Sequence, residues 1–524
     1  MSTQTPAFRS GSGKGGLLWV AREDLASRLL RDGEFLPPGS LLRDWELKRS
    51  GSRRVRAVDL AGGPPAALVV KTYPARPFPE GIFRGWLYPS QARLEMDNGL
   101  RILERGISVP APVAALWRPA GILTCESILV SERIEPAWDL HGILHGSVPP
   151  KGRARGRISR ALGDLFRRMH DGGITHDDPH LGNILLAGGA MEPRVIPIDL
   201  RRVRIRRGPL DLCQRAGNLA LLGLSVRGLA SKTDLLRFLN AYLAAPGLEE
   251  RQESLAQGIA AAQPRILLDI ARGRARRALR DGRRFQRIER LGITWQVRRE
   301  ARSPGLDAIL ADPEGFFRDP ARIIKDSRSG TVACAGGIVV KRIRQKRLRN
   351  LILDRLRCGR ARRGLYRAVI LDVLGIPTAT VLASGERRRC GLVTAGYIVQ
   401  EEVPGARTFL AWAREASGAQ GSPEIPEAAG RLIACLHQAG LTHRDLKAPN
   451  ILLDGNGDLC LVDLDGLRAP GRVSERRAAR DLARFLRDLV TDPAVPEDMA
   501  GRVTSAYCRQ RHVDREHLEG LLQR

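Results

Sequence analysis

The sequence predicts an α+β protein built as two copies of one domain in tandem, and three observations carry that expectation. His176-Asp-Asp-Pro-His-Leu-Gly-Asn183 and His443-Arg-Asp-Leu-Lys-Ala-Pro-Asn450 stand 267 residues apart, and each runs on into Ile-Leu-Leu. Upstream, Val69-Val-Lys71 matches Val339-Val-Lys341 at an offset of 270, and Gly106-Ile107 matches Gly375-Ile376 at 269. Between these landmarks, strand-like alternation and 3.6-periodic helical segments follow one another in the same order in both copies. An offset that drifts this slowly marks a doubled domain, whereas a solenoid would repeat over tens of residues.

Residues 1–42 read as an N-terminal tail and lead-in. Gly11-Ser-Gly-Lys-Gly-Gly16 lacks the order of a phosphate loop and no strand precedes it, so a flexible tail is expected there. Residues 43–250 form copy one. Arg53 to Val70 alternates and reads as strands, and Gln91 to Arg105 reads as a helix with Met96, Leu100 and Leu103 on one face, ended by Gly106 and Pro110. Ser127 to Val130 is a strand leading into Glu132. Ile158, Leu162, Leu165 and Met169 then recur at helical spacing and deliver the chain to His176. Residues 251–319 are densely basic around Arg272 to Arg280 and read as a solvated linker helix, with an anionic surface as its alternative partner. Copy two, residues 320–524, repeats the order. Ile338-Val-Val340 ends at Lys341, Arg362 to Leu374 is a helix, Tyr397-Ile-Val399 enters Glu401, and Glu427 to Ala439 is the helix before His443.

The composition fits this plan. At 524 residues there is room for two full cores, and 43% apolar with 27% charged residues is ordinary for a folded protein. The net charge of +29 favours anionic partners such as nucleotides, lipid phosphates or anionic sugars, and would allow peripheral contact with a membrane. An aromatic fraction of 5% leaves little room for base-stacking platforms, which argues against nucleic acid. No run of 18 apolar residues and no secretory signal are visible, and the eight cysteines include no C-x-x-C pair, so a reducing, cytoplasmic setting is expected. Nine lysines stand against 77 arginines, and Lys71, Lys341 and Lys447 are among the nine. Those positions are expected to need a compact ammonium in place of a planar guanidinium.

Both repeated stretches fit H-x-D-x-x-x-x-N, in which one carboxylate takes a proton from an attacking hydroxyl and an amide five residues on holds Mg²⁺. In copy one, Asp178 is the expected base, Asn183 and Asp199 the metal ligands, Lys71 the phosphate-binding cation and Glu95 its partner. A strand-turn-strand from Asn183 would return Asp199 to its side. In copy two the roles fall to Asp445, Asn450, Asp463 and Lys341, with Lys447 placed to neutralise the transferred phosphoryl group. Alignment of the helices sets Gly364 opposite Glu95, so copy two is expected to lack the partner for its lysine. His176, His443, His170 and His437 read as structural residues.

Copy two's His-Arg-Asp-Leu-Lys-Ala-Pro-Asn is similar to the protein-kinase-like superfamily. Gly375-Ile-Pro-Thr-Ala379, Glu401-Glu-Val-Pro-Gly405, Val462-Asp-Leu-Asp465 and Arg480-Asp-Leu-Ala-Arg484 together resemble the bacterial lipopolysaccharide kinase family, whose members phosphorylate heptose or 3-deoxy-D-manno-octulosonic acid (Kdo). Copy one's loop is also similar to those of aminoglycoside phosphotransferases. The resemblance implies two tandem bilobal domains, each with a small β-rich N-lobe and a mainly helical C-lobe. ATP and Mg²⁺ would bind between the lobes, against hinges at Glu132 and Glu401. It implies a phosphotransferase acting on a sugar hydroxyl of an anionic glycolipid or envelope precursor. Two alternatives remain open at this point: one copy is a nucleotide-binding pseudokinase that regulates the other, with Gly364 pointing to copy two, or the chain is a protein Ser/Thr kinase. Neither copy has a G-x-G-x-x-G loop; Ser50 to Arg54 and Ser327 to Thr331 are the nearest candidates. The arginine-rich stretch from Arg342 to Arg363 is a candidate for shielding substrate phosphate, with a solvated face as its plain alternative.

Overall fold

The computed structural model describes residues 6–31, 34–36, 41–50, 53–61, 66–75, 90–119, 125–147, 149–189, 192–244, 247–328, 330–344, 359–389, 392–416 and 424–522. The chain divides into two units, Met1–Gln263 and Pro264–Arg524. Each combines a seven-stranded sheet with a mainly helical part, the α+β architecture expected from the sequence.

The two sheets have the same strand order. In the first unit it runs Phe8–Gly13, Leu17–Arg22, Pro112–Pro119, Cys125–Glu132, Ala66–Tyr73, Arg53–Leu60, Leu41–Ser50. In the second it runs Phe285–Arg290, Ile293–Arg298, Val381–Arg389, Leu392–Glu401, Ile338–Ile343, Gly330–Ala335, Ile323–Ser327. Lys71 lies opposite Leu129 and Lys341 opposite Ile398, so each lysine sits beside the central strand of its sheet, the one that leads to the helical part.

The first two strands of each sheet correct the sequence reading. Residues 8–22, expected within a flexible tail, form a hairpin at the sheet edge, and the helix Glu23–Leu29 behind it buries Leu25, Ala26 and Leu29. Residues 251–319, expected as a solvated linker helix, do contain the helix Gln252–Ala278, but it buries Leu268, Ala271 and Ala275, and the second unit's hairpin and the helix Pro304–Ala311 follow it. The physical reason is shared. Leu17 and Ala21 alternate into the first core, as Ile293, Trp295 and Val297 do into the second. Gly11 lets Trp19 lie flat against the neighbouring strand, because a Cβ there would stand 2.6 Å from the indole; Gly385 does the same for Trp295 at 2.5 Å. Gly15 and Gly16, with φ of 64° and 73°, supply the turn that the glycine-rich run disguised as a tail.

The helices form where the periodicity placed them. Gln91–Leu103 is capped by Ser90, whose hydroxyl accepts from the Arg93 N–H, and it ends at Gly106 in the left-handed region, as Arg360–Leu374 ends at Gly375. Gly152–Asp171 buries Ile158, Leu162, Leu165, Phe166 and Met169, each side chain contributing about 1.5–3 kcal/mol relative to exposure. It packs closely on Lys232–Leu243 at Gly163, where a Cβ would fall 2.3 Å from the Phe238 carbonyl oxygen. Gly430 repeats that approach in the second unit, 2.3 Å from the Val503 oxygen. No helix among the described residues is long and apolar enough to cross a membrane.

Candidate active site

In each unit a short two-strand pairing follows the loop that carries the expected base. Ile184–Ala187 pairs with Arg194–Pro197, and the Ile198 N–H donates to the Asn183 carbonyl at 2.9 Å, so the chain returns Asp199 beside Asn183 as the spacing predicted. Ile451–Leu453 pairs with Leu459–Leu461, and the Val462 N–H donates to the Asn450 carbonyl at 2.9 Å. Asp199 (φ 61°, ψ 50°) and Asp463 (φ 53°, ψ 64°) both adopt the left-handed conformation, which costs a non-glycine residue about 1–3 kcal/mol and so marks a site held for a purpose.

The loop histidines are structural. His176 Nε2 lies 3.0 Å from the Ile198 carbonyl and its Nδ1 accepts from the Asp178 N–H at 3.1 Å, which fixes a neutral Nε2–H tautomer. His443 Nε2 bonds the Asp463 carbonyl at 3.1 Å. Burial lowers the pKa of both. His170 and His437 bond the hydroxyls of Tyr242 and Tyr507 at 2.8 Å, and burial lowers His170 to about 4. Asn218 and Asp481 anchor the loops from behind. Asn218 Nδ2 donates to the His176 carbonyl at 2.8 Å, and Asp481 accepts from the His443 N–H at 2.7 Å.

In the first unit Lys71 Nζ meets Glu95 Oε1 at 2.7 Å, with the Glu95 side chain 3% exposed and Lys71 13%. Tyr73 donates its hydroxyl to the other carboxylate oxygen. Lys71, Glu95, Ser131 and Asp199 line one cleft. Asn183 Nδ2 donates to the Asp178 carbonyl at 3.0 Å, which joins the amide to the base. The expected residues of this unit therefore converge.

Arginines that the sequence reading gave no role hold Asp199. Arg201 Nε donates to Asp199 Oδ1 at 3.1 Å, and Arg53 reaches the two oxygens at 3.4 and 3.5 Å. Both guanidiniums lie over the Tyr73 ring, 5.2 and 5.7 Å from its centroid, and Arg201 also donates to Gln91 Oε1 at 2.9 Å. Burial alone would raise the Asp199 pKa, but Arg53, Arg201 and Lys71 outweigh it and hold the carboxyl below its ordinary value. Arg202 donates to Asp178 Oδ2 at 2.8 Å. The adjacent Arg201-Arg202 pair after Asp199 was the available signal.

The second unit is wired differently. Lys341 Nζ donates to Asp463 Oδ1 at 2.9 Å, because Gly364 stands where Glu95 stands in the first unit. Gly364 is closed against Ile398, whose Cδ1 would lie 2.5 Å from a Cβ there. Lys341 offsets the burial of Asp463 and lowers its pKa, although the Asp463 side chain stays 43% exposed. Asn450 Nδ2 donates to the Asp445 carbonyl at 2.8 Å, and Lys447 pairs with Asp445 at 2.8 Å, which raises the lysine pKa. Asp465, two residues after Asp463, turns to Arg360 and Arg367.

The hinge glutamates lie at strand ends. Glu132 accepts from Arg22 of the edge hairpin at 2.6 Å, so its carboxylate is committed to the fold, and the Glu401 N–H donates to the Thr380 carbonyl at 2.9 Å. The candidate phosphate-covering segments are turns of the outer hairpins; residues 51–52 and 329 within them lie outside the described residues, as do 345–358 of the arginine-rich stretch.

A family model described as the lipopolysaccharide kinase (Kdo/WaaP) family matches residues 84–242 and again 326–507. Among curated proteins the chain is similar to the 3-deoxy-D-manno-octulosonic acid kinase of Stenotrophomonas maltophilia strain K279a, 41% identical over 104 residues, covering 20% of this chain and 39% of that protein. It is similar to the protein of the same description from Vibrio parahaemolyticus serotype O3:K6, 34% identical over 105 residues, covering 20% and 41%. These matches span about two fifths of each relative's length. Among solved structures it is similar to WaaP in complex with acyl carrier protein, at 22% identity and TM-score 0.34, covering 48% of this chain and 95% of that one. WbdD matches at 16% identity and TM-score 0.25, covering 38% and 44%.

Proposed function

Because the chain belongs to the lipopolysaccharide kinase (Kdo/WaaP) family, we propose that it is an ATP-dependent phosphotransferase whose acceptor is a sugar hydroxyl of an anionic glycolipid or envelope precursor, and that the second unit performs the transfer. The observation that supports this reading is the second unit's donor set. Among the described residues Asp463 pairs with one cation, Lys341, and the amide nitrogen of Asn450 is spent on the Asp445 carbonyl, which leaves the amide oxygen for a metal. Two oxygen donors on adjacent segments suit a hard, largely hydrated cation such as Mg²⁺. When bound, such an ion would offset negative charge on the phosphates.

The rest of the chemistry falls to the chain itself. Lys341 would move its ammonium between Asp463 and the α/β-phosphates. Asp445 would accept the proton of the acceptor hydroxyl as its oxygen bonds to the γ-phosphorus of ATP and the bond from that phosphorus to the β-phosphate oxygen breaks, releasing ADP. Lys447, 2.8 Å from Asp445, would follow the charge onto the transferred phosphoryl group. The left-handed turn at Asp463 aims its carboxylate without a rearrangement during the reaction. The net charge of +29 supports an anionic acceptor and peripheral contact with an anionic surface.

The reading that one copy is regulatory gains a specific observation, and it points to the first unit. There Asp199 is held by two arginines and Asp178 by a third, whereas Gly364 removes only the lysine's partner in the second. Labelled ATP, the full chain and a Kdo-containing lipopolysaccharide acceptor test the assignment. Asp445→Ala is expected to abolish transfer to the lipid fraction and Asp178→Ala to leave most of it. Transfer that survives Asp445→Ala, or label that appears only in protein, refutes the reading.

A further inference from the structure

The left-handed aspartates of the two units face different electrostatic surroundings, and the difference is written in residue identity. The strand register sets Val55 opposite Lys71 and Val332 opposite Lys341, so the place of Arg53 is taken in the second unit by Gly330. A Cβ on Gly330 would fall 2.2 Å from the Arg342 carbonyl oxygen, so no side chain can occupy that place. Two residues after the left-handed aspartate, Arg201 in the first unit is replaced by Asp465 in the second. Two guanidiniums have therefore been exchanged for a hydrogen and a carboxylate.

The first unit's set does not fit a divalent cation. Both Asp199 oxygens already accept from guanidiniums, and the side chain is only 10% exposed. A cation docked on them would sit beside two fixed positive charges, in surroundings where Coulomb repulsion is several times stronger than in bulk water. The arginines are also braced. Tyr73 lies beneath both, and Gln91 holds Arg201. One carboxylate balances one of the two guanidiniums, and Glu95 balances Lys71, so the cleft keeps a net positive charge directed at its ligand.

We infer that the first unit binds a nucleoside triphosphate without a divalent cation, Arg53 and Arg201 supplying the positive charge that a metal would otherwise bring. This rests on the reading of both clefts as nucleotide sites. Guanidiniums suit the task, since each presents several donors to phosphate oxygens and stays charged throughout the accessible pH range.

The test uses the full chain carrying Lys341→Ala and Asp463→Ala, which silences the second cleft, and titrates a fluorescent ATP analogue in EDTA and in excess Mg²⁺. Binding of similar affinity in both buffers is expected. Adding Arg53→Ala and Arg201→Ala should weaken binding in EDTA on the order of tenfold or more, with part of the loss restored by Mg²⁺. A merely structural role for the arginines would give no such rescue. Binding that requires Mg²⁺ with both arginines present overturns the inference alone. No binding in either buffer overturns the assignment of the first cleft as a nucleotide site as well.

Discussion

Removing the Glu95 carboxylate should destabilise the first unit through two groups at once. In Glu95→Ala the Lys71 ammonium, 13% exposed, loses its partner at 2.7 Å, and the Tyr73 hydroxyl, in a residue 1% exposed, loses its acceptor. Breaking a buried ion pair by deleting one member costs about 3–5 kcal/mol. Asp199, whose ionisation Lys71 already favours, offers the freed ammonium a second carboxylate and moves the cost to the low end, about 3 kcal/mol. For a unit of this size each kcal/mol shifts the midpoint by roughly 2–4 °C, so its transition should fall by roughly 6–12 °C. Differential scanning calorimetry of the full chain reads this directly. Tyr73→Phe isolates the hydroxyl and should cost about 0.5–1.5 kcal/mol. Lys71→Met with Glu95→Leu replaces the pair by apolar groups of similar size, and most of the loss should return. An unchanged midpoint in Glu95→Ala, or a double variant whose loss equals the sum of the two single losses, would show that the pair is not coupled as described.

Three further outcomes follow from the same coordinates. His170 has a folded pKa of about 4 against an ordinary 6.5, so the unfolded chain binds the extra proton between those values. Its contribution is complete above about pH 6.5 and is lost as pH falls toward 4, on the order of 3 kcal/mol, which urea unfolding at a series of pH values should show and His170→Gln should flatten. Gly163→Ala and Gly430→Ala each drive a methyl group into a carbonyl oxygen at 2.3 Å, and should each cost about 1–3 kcal/mol in chemical denaturation; a neutral result would mean that the helices separate freely. Asp481→Ala leaves the buried His443 N–H without its acceptor, and should cost about 1–3 kcal/mol and lower turnover more than it raises KM, because it loosens the loop that carries Asp445.

Much of the architecture could be read because its signals are local. The lysine strands, the helices ending at Gly106 and Gly375, and the loops from His176 and His443 each announce themselves within about a dozen residues, through alternation, capping and turn chemistry. Asn183 and Asp199 were brought together by a hairpin short enough to foresee. The arginine contacts were not foreseeable in that way. Arg53 and Asp199 are 146 positions apart, and with 77 arginines in the chain no single one stands out. The edge hairpins were hidden for the opposite reason. Gly11 to Gly16 looks like loop because its glycines serve a turn and a close approach to Trp19, and the matching Leu-Leu-Trp-Val-Ala-Arg and Ile-Thr-Trp-Gln-Val-Arg carry too few identities to register as a repeat without the strand order.

That shared hairpin gives the two clefts a common frame of reference. Both sheets begin with the same tryptophan-bearing pair of strands at the same edge, so the scaffold behind each cleft matches strand for strand. Exchanges such as arginine for glycine at 53 and 330, or glutamate for glycine at 95 and 364, therefore stand as local differences within one framework. The molecule carries its own control experiment, one scaffold held constant while the charges around its two left-handed aspartates differ.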